Sequence, residues 1–417
     1  MSASDSSPEL SSEIALLRQP GLIGCLAGRN LSAFSSQVQA VAVGWQIYAL
    51  THSAAALGFA GLAQFLPMLL LTLPAGHVAD QFNRRRIVIT CQVIEASAAC
   101  LMAIASWQHW IGAWALYVLV ALFGACRAFE MPAQQTFLPA IVPVSLFPRA
   151  AALSSSLFQV ACIAGPSLGG VLYGFGADTC YALCAIGFAI SALATSSIRL
   201  RFPARQRQPI TLESVMGGIA FLRRQRPMFG AISLDLFAVL LGGATALLPL
   251  YAEDILHAGP VALGFLRAGP AMGAVLMAGI MTRWPIRHNA GRTMFFSVAV
   301  FGVATIVFGL SHSILVSILA LMVLGAADVV SVMVRGALVQ LGTPDEMRGR
   351  VSAVNMLFIG SSNQLGEFES GMMAAWMGAV PAVVIGGVGT LIVTVLWMRL
   401  FPGLRDLDRL DDIKPAD

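Results

Sequence analysis

The sequence predicts an all-α membrane protein: twelve transmembrane helices arranged as two six-helix bundles. Three observations predict it. Of 417 residues, 57% are hydrophobic and only 11% charged, with a mean hydropathy of +0.79, whereas a soluble chain is about one quarter charged. The basic residues fall on one side of the apolar segments. The two halves of the chain also repeat one another at nearly constant offset.

Residues 1–20 are polar and partly acidic and lack the basic start, short apolar core and cleavage site of a signal peptide, so a cytoplasmic tail is expected. A spanning helix needs roughly 20 mostly apolar residues. Such segments lie near 21–50, 55–79, 87–107, 112–138, 150–175, 179–198, 228–252, 261–282, 293–311, 314–338, 351–376 and 380–401. The longest polar interruption, 199–227, separates an N-terminal bundle (21–198) from a C-terminal bundle (228–401), and a second cytoplasmic tail covers 402–417. Within the linker, TLESVMGGIAFLRRQ has helical apolar spacing and is expected to lie along the cytoplasmic membrane face.

Of 25 Lys and Arg, four (Arg29, Arg127, Arg267 and Arg335) are placed inside spans, and the other 21 sit at or beyond span ends on the side of the N-terminal tail. None lies in the alternate loops. This one-sidedness puts both termini in the cytoplasm, and an error of one span would destroy it.

Gly61, Gln64, Pro67, Gly76 and Asp80 pair with Gly264, Arg267, Pro270, Gly279 and Arg283 at an offset of 203. Arg149, Ala152, Gly165 and Gly170 pair with Arg350, Ala353, Gly366 and Gly371 at 201. Tandem six-span repeats in one orientation are the plan of a rocking two-bundle transporter with its site between the bundles.

Two segments carry mechanism. After span 2 comes Gly76-His77-Val78-Ala79-Asp80-Gln81-Phe82-Asn83-Arg84-Arg85-Arg86. Gly76 allows close helix approach, and Asp80 can pair with basic groups or cap a helix, which together would make a conformational latch with Arg84, Arg85 and Arg86. A plain positive-inside loop explains the arginines but not Gly76 and Asp80. Asn83 stands where a glycine would serve a turn, and Asn tolerates positive φ. Span 5 carries Gly165-Pro166-Ser167-Leu168-Gly169-Gly170, where small residues permit tight backbone contact and proline can bend the helix.

The first segment resembles the signature loop of the major facilitator superfamily, with Gln81 replacing a basic residue and Asn83 a glycine. The second is similar to the Gly-Pro motif of that superfamily's antiporter branches, with Ala161 replacing its first glycine. Val43-Gly44-Trp45-Gln46-Ile47-Tyr48 and Phe129-Glu130-Met131-Pro132-Ala133 narrow the resemblance to the branch of enterobactin-exporter-like efflux permeases. The resemblance implies proton-driven export of a small molecule from the bacterial inner membrane.

Ionisable groups within a span are costly and by default face a cavity or a partner. Arg127 and Glu130, three apart, share a helix face and are expected to pair. Glu95, Asp235 and Asp328 have no such neighbour and are the first candidates to carry a coupling proton. Glu367 and Glu369 in the polar span 11 rank second. Being two apart they point to different faces, and ion pairs to Arg267 or Arg127 are the plainer explanation for both. Arg29 and Arg335 stand nearer the cytoplasmic ends, from where such side chains can snorkel to the interface.

There is no Gly-rich loop ending in Gly-Lys-Ser/Thr, no pair of histidines at metal-ligand spacing and no Cys-x-x-Cys among the seven cysteines. No enzymatic activity, cofactor, metal or nucleic-acid partner is therefore expected. The expected partners are a small-molecule substrate, protons and the lipid bilayer, and the expected state is a monomer. The leading reading is a proton-coupled exporter of an amphipathic small molecule, siderophore or drug-like. An importer or facilitator of a metabolite, and a non-transporting receptor, remain open at this point.

Overall fold

The computed structural model describes residues 16, 19–198, 212–344 and 347–409. The expected tails, apart from residues 16, 19–20 and 402–409, and the linker stretch 199–211 lie outside the described residues. The described residues form twelve long helices: α1 (Leu22–Thr51), α2 (Ala54–Gln81), α3 (Arg84–Trp107), α4 (Ala113–Gln134), α5 (Phe147–Tyr173), α6 (Ala177–Ser196), α7 (Arg226–Leu241), α8 (Gly259–Arg283), α9 (Ala290–Leu310), α10 (Ile314–Gly342), α11 (Arg348–Met377) and α12 (Ala379–Leu400). One end of the molecule carries the arginine-rich connections and is called the basic end below; the other is the distal end.

Among the described residues, ten helices are long and apolar enough to cross a membrane. The two other long helices, α1 and α11, carry the polar side chains Gln37, Gln39, Gln364 and Glu367, which line an interior cavity instead of facing lipid. α7 is not one straight span. It stops at Leu241 before Gly242, continues as a 3-10 turn over Ala244–Leu247, and reaches Ile255 through a wide helical turn. The paired glycines and Pro249 account for the break.

The halves repeat in space. In the first, α1 packs on α5 and α6, α2 on α4, and α3 on α6; in the second, α7 packs on α11 and α12, α8 on α10, and α9 on α12. The bundles meet along two seams, α5 with α8 and α2 with α11, themselves related by the same six-helix shift. At the distal end of the first seam, a Cβ on Gly170 would lie 2.9 Å from the Gly264 Cα. In the second seam, one on Gly371 would lie 2.7 Å from the Gly58 Cα. Both distances are too short for any side chain, so glycine is what lets the backbones touch.

The distal closure also has an apolar part. Val41, Trp45 and Ala54 of the first bundle share one buried cluster with Leu247, Leu248, Tyr251, Leu263 and Leu266 of the second. Tyr48 donates across the seam to the Asp254 carboxylate. Towards the basic end, a Cβ on Gly279 or Gly360 would meet nothing within 4 Å.

The linker helix Leu212–Arg224 is anchored on the second bundle, with Leu222 buried against Met228, Ile232, Val339, Val351 and Val354. Beyond α12, Asp408 accepts from the Asn289 backbone N–H at 2.8 Å and contacts the His288 ring at 3.1 Å, which ties the chain to the α8–α9 connection. These contacts hold the Asp408 carboxyl below the usual carboxylate range.

Candidate functional site: a charged cavity between the bundles

Beneath the distal closure lies a cavity of about 210 Å³ between the two bundles. The first bundle contributes Gln37 of α1, Gln64 of α2, Glu95 of α3 and Arg127 of α4. The second contributes Thr245 from the break in α7, Arg267 of α8, and Gln364 and Glu367 of α11. Each bundle therefore supplies one acid and one arginine. Gln64 and Arg267, equivalent positions of the internal repeat, both face this space.

None of the four charges is tied up in an ion pair shorter than 4 Å among the described residues. Glu95 is 2% exposed, and its Oε2 has no hydrogen-bond partner. Arg267 Nη1 donates to the Ala40 carbonyl of α1 at 2.9 Å, a bond across the bundle boundary, and Arg267 lies within electrostatic range of Glu367. Glu367 lies over Gly61 of α2, where a Cβ would come within 2.9 Å of Oε2. Gln364 Oε1 is also buried without a partner. A cavity lined by under-used donors and acceptors can bind a polar group or pass a proton.

Several expectations are corrected. Arg127 and Glu130 share a helix face but do not form the expected ion pair. Glu130 Oε1 accepts instead from Gln92 at 2.8 Å, Gln134 at 2.6 Å and Ser32 at 3.4 Å. Gln92 in turn accepts from Thr195, so Glu130 is the hub of a network joining α1, α3, α4 and α6. With those donors satisfying Glu130, Arg127 is free to face the cavity.

Asp235 is not an unpaired carboxylate: it forms a buried ion pair with Arg335 of α10. Arg335, only 3% exposed, does not snorkel. Arg29 donates to Ser154 of α5 at 2.9 Å and lies over the Phe158 ring. Asp328 faces a small separate void inside the second bundle. Of the two α11 acids, Glu367 lines the cavity, whereas Glu369 accepts from its neighbour Ser370 at 3.5 Å.

In the span 5 motif, Gly165 and Gly169 sit against Gln37, Val38 and Val41 of α1, while Gly170 meets α8 across the seam. In the loop after α2, Asn83 has φ −66°, not the left-handed value expected. It caps α3 by accepting from the backbone N–H groups of Arg85 and Arg86 at 3.1 and 3.4 Å. Arg85 donates to the Ser196 carbonyl at the end of α6, where a cation suits the helix dipole. Arg86 lines a groove between α3 and α4, and Arg84 begins α3. Gly76 and Asp80 lie in the last turns of α2.

Sequence reasoning missed Gln37, Gln39 and Thr245 at the cavity and the Tyr48–Asp254 contact. A run of glutamines on an otherwise apolar span 1 was the available signal for the first two. The contacts across the bundle boundary left none.

Comparison with known proteins agrees with this architecture. Residues 11–415 match a family model described as a transmembrane secretion effector. The chain is 27% identical over 402 residues to the enterobactin exporter EntS of Citrobacter koseri and equally to that of Shigella boydii, covering 94% of each protein in both cases. Its fold is similar to a bacterial homologue of the human lysosomal transporter Spinster in an inward-facing, unoccupied conformation, with a TM-score of 0.72 and 15% identity over 96% of this chain and 97% of the other. It is likewise similar to a POT family transporter in complex with 5-aminolevulinic acid, with a TM-score of 0.72 and 11% identity over 92% and 96%. The chain belongs to the transmembrane secretion effector family and is a multi-pass membrane transporter of the major facilitator type.

Proposed function

We propose that this transporter is a proton-coupled exporter of an amphipathic small molecule, working by alternating access in the bacterial inner membrane with its basic end and both termini in the cytoplasm. The observation that carries the reading is the cavity at the bundle boundary, lined by Glu95, Arg127, Arg267 and Glu367 and closed distally by the glycine contacts and the Trp45–Leu248 cluster. The one-sided arginines support the orientation, and the likeness to enterobactin exporters supports the direction.

In this reading substrate enters from the basic end and meets Arg127, Arg267 and the amide side chains. Glu95 and Glu367 exchange protons with the distal side once the Gly170–Gly264 and Gly58–Gly371 seams part. A proton on either acid changes the balance of two acids against two arginines, and so changes what the cavity attracts. The segment from Gly76 to Arg86, with Asp80, serves as the latch between the two states, and Gly165 to Gly170 as the tight contact about which they rock.

The test is flux in proteoliposomes with and without an imposed pH gradient, using enterobactin and a lipophilic cationic dye as probes. Gradient-driven accumulation of either probe against its concentration gradient is expected. Equal fluxes with and without the gradient would make the protein a facilitator, and the importer reading would follow from uptake in the opposite direction.

A further inference from the structure

Two grooves open on the outer surface of the first bundle, away from the central cavity. One, of about 620 Å³, runs between α1 and α5, and Asn30 is the one polar residue in its lining. The other, of about 490 Å³, runs between α3 and α4 and carries a charge. Both α3 and α4 are long and apolar enough to cross a membrane, and the exposed Phe82 and Leu122 at the rim of their groove are turned to its lipid.

The lining of the α3–α4 groove changes in a fixed order along its length. At the basic end stands the exposed Arg86, and one turn further along the same face of α3 comes the exposed Thr90. Beyond it Ile94, Leu122 and Ala125 form apolar walls. Neither the Arg86 guanidinium nor the Thr90 hydroxyl has a partner among the described residues. Their neighbours are already engaged: Asn83 caps α3 with its side chain, and Arg85 donates to the Ser196 carbonyl. From Arg86 to Ile94 the helix rises about 12 Å, which fits within the roughly 15 Å of hydrocarbon in one leaflet.

We infer that the α3–α4 groove binds one anionic phospholipid from the leaflet at the basic end. A phospholipid presents a phosphate, then a glycerol ester, then a hydrocarbon chain; the groove presents a cation, a hydroxyl donor and an apolar trough in the same order. Arg86 donates to the phosphate oxygens, an acceptor that a guanidinium matches well. Thr90 donates to an ester carbonyl, and the chain covers Ile94, Leu122 and Ala125. A zwitterionic headgroup brings its own cation to the phosphate and competes with Arg86, so a net negative headgroup is preferred, and the other arginines at this end add to the attraction. The α1–α5 groove has no cation and no such order. Because α3 and α4 also carry Glu95 and Arg127 to the central cavity, a bound chain braces these two helices against each other. The inference rests on the membrane-spanning fold and not on the exporter reading.

Photolabelling of the full chain in phosphatidylcholine liposomes tests it, with a trace of phosphatidylglycerol that carries a diazirine in its acyl chain as the probe. Mass spectrometry is expected to find most of the adduct on residues 86–94 and 122–129. Unlabelled phosphatidylglycerol added to the bilayer should compete it away, inorganic phosphate should not, and the same diazirine on phosphatidylcholine should label these residues weakly. Arg86→Gln should cut the labelling about tenfold, the weight of one charge-assisted hydrogen bond. Arg287→Gln removes the same charge from the exposed α8–α9 connection at the same end and should leave the labelling unchanged. Leu122→Trp fills the trough and should abolish it, and Ala125→Leu is the milder filling if the tryptophan variant fails to fold. Adduct spread evenly over all the exposed helix faces, or equal losses in the two arginine variants, would mean annular lipid only and overturn the site. Competition by inorganic phosphate would overturn a lipid as the ligand. No arm depends on flux, so failure of the exporter reading would leave this measurement intact.

Discussion

Glu95 and Glu130 lie on neighbouring helices of one bundle, both almost fully buried, yet their oxygens are treated differently. Three side-chain donors surround Glu130, whereas Glu95 keeps Oε2 without a partner at the wall of the central cavity. The second bundle repeats the contrast with Asp235, locked to Arg335, and Glu367, which no ion pair binds among the described residues. Burial alone therefore does not mark a functional acid in this protein. The mark is burial with hydrogen-bonding capacity left over, facing space that a substrate or proton can enter.

This contrast can be broken by substitution, and the largest effect is expected at Arg335. Arg335→Gln leaves Asp235 facing an uncompensated interior and should lower stability by about 3–5 kcal/mol, the usual cost of removing one member of a buried pair. Thermal unfolding in detergent measures it, and an unchanged melting temperature would show that the pair contributes nothing.

Next comes Glu130→Ala, which strands the amide groups of Gln92 and Gln134. Each buried donor left unmade costs about 1–3 kcal/mol, so a clear loss of stability is expected before any question of transport arises. Glu130→Gln, which keeps an acceptor, should recover part of it. If Glu130 were instead a transport acid, the alanine variant would melt normally and fail only in flux.

Glu95→Gln should do the reverse. The amide fills the same space without an ionisable group, so a melting shift equivalent to less than about 0.5 kcal/mol is expected. Gradient-driven accumulation should drop by about a hundredfold, the scale at which loss of a proton-transfer group is usually felt. Normal accumulation in a well-folded Glu95→Gln would transfer the coupling role to Glu367.

The fold class, the span pattern and the one-sided charge were legible because hydropathy and basic residues are ordered along the chain and need no knowledge of packing. The internal repeat was legible too, and its consequences are three-dimensional: Gly170 and Gly371, paired in sequence, occupy the two equivalent seams. What could not be read was who meets whom. Asp235 and Arg335 are one hundred residues apart, and nothing in local periodicity says that α7 and α10 bring them together. The spacing of Arg127 and Glu130 suggested a pair, but the donors on α1 and α3 that help to satisfy Glu130 were invisible until the helices packed. The two-residue separation of Glu367 and Glu369 did carry information, because the helical period allows only one of them to reach the cavity. Asn83 was read through its backbone tolerance, while its side chain found a better use as a helix cap.

The smallest expected effect concerns the distal closure and sharpens the contrast between contacts that hold the fold and contacts that hold one conformation. Tyr48 of the first bundle donates to Asp254 of the second, and Asp254 is otherwise exposed. Removing the hydroxyl leaves that carboxylate to water and leaves both bundles intact, so Tyr48→Phe should not lower the melting temperature. It should weaken only the distally closed state, by about 1 kcal/mol, the net worth of one such hydrogen bond. Since about 1.4 kcal/mol is a tenfold change in an equilibrium, the ratio of open to closed distal ends should rise about fivefold. Spin labels at the exposed loop positions His52 and His257, in a background whose exposed Cys100 is serine, report that ratio as the population at longer separation. Asp254→Asn, which still offers an acceptor, should give a smaller shift in the same direction. Identical distance distributions in Tyr48→Phe and the parent would assign the closure to the glycine seams and the Trp45–Leu248 cluster alone.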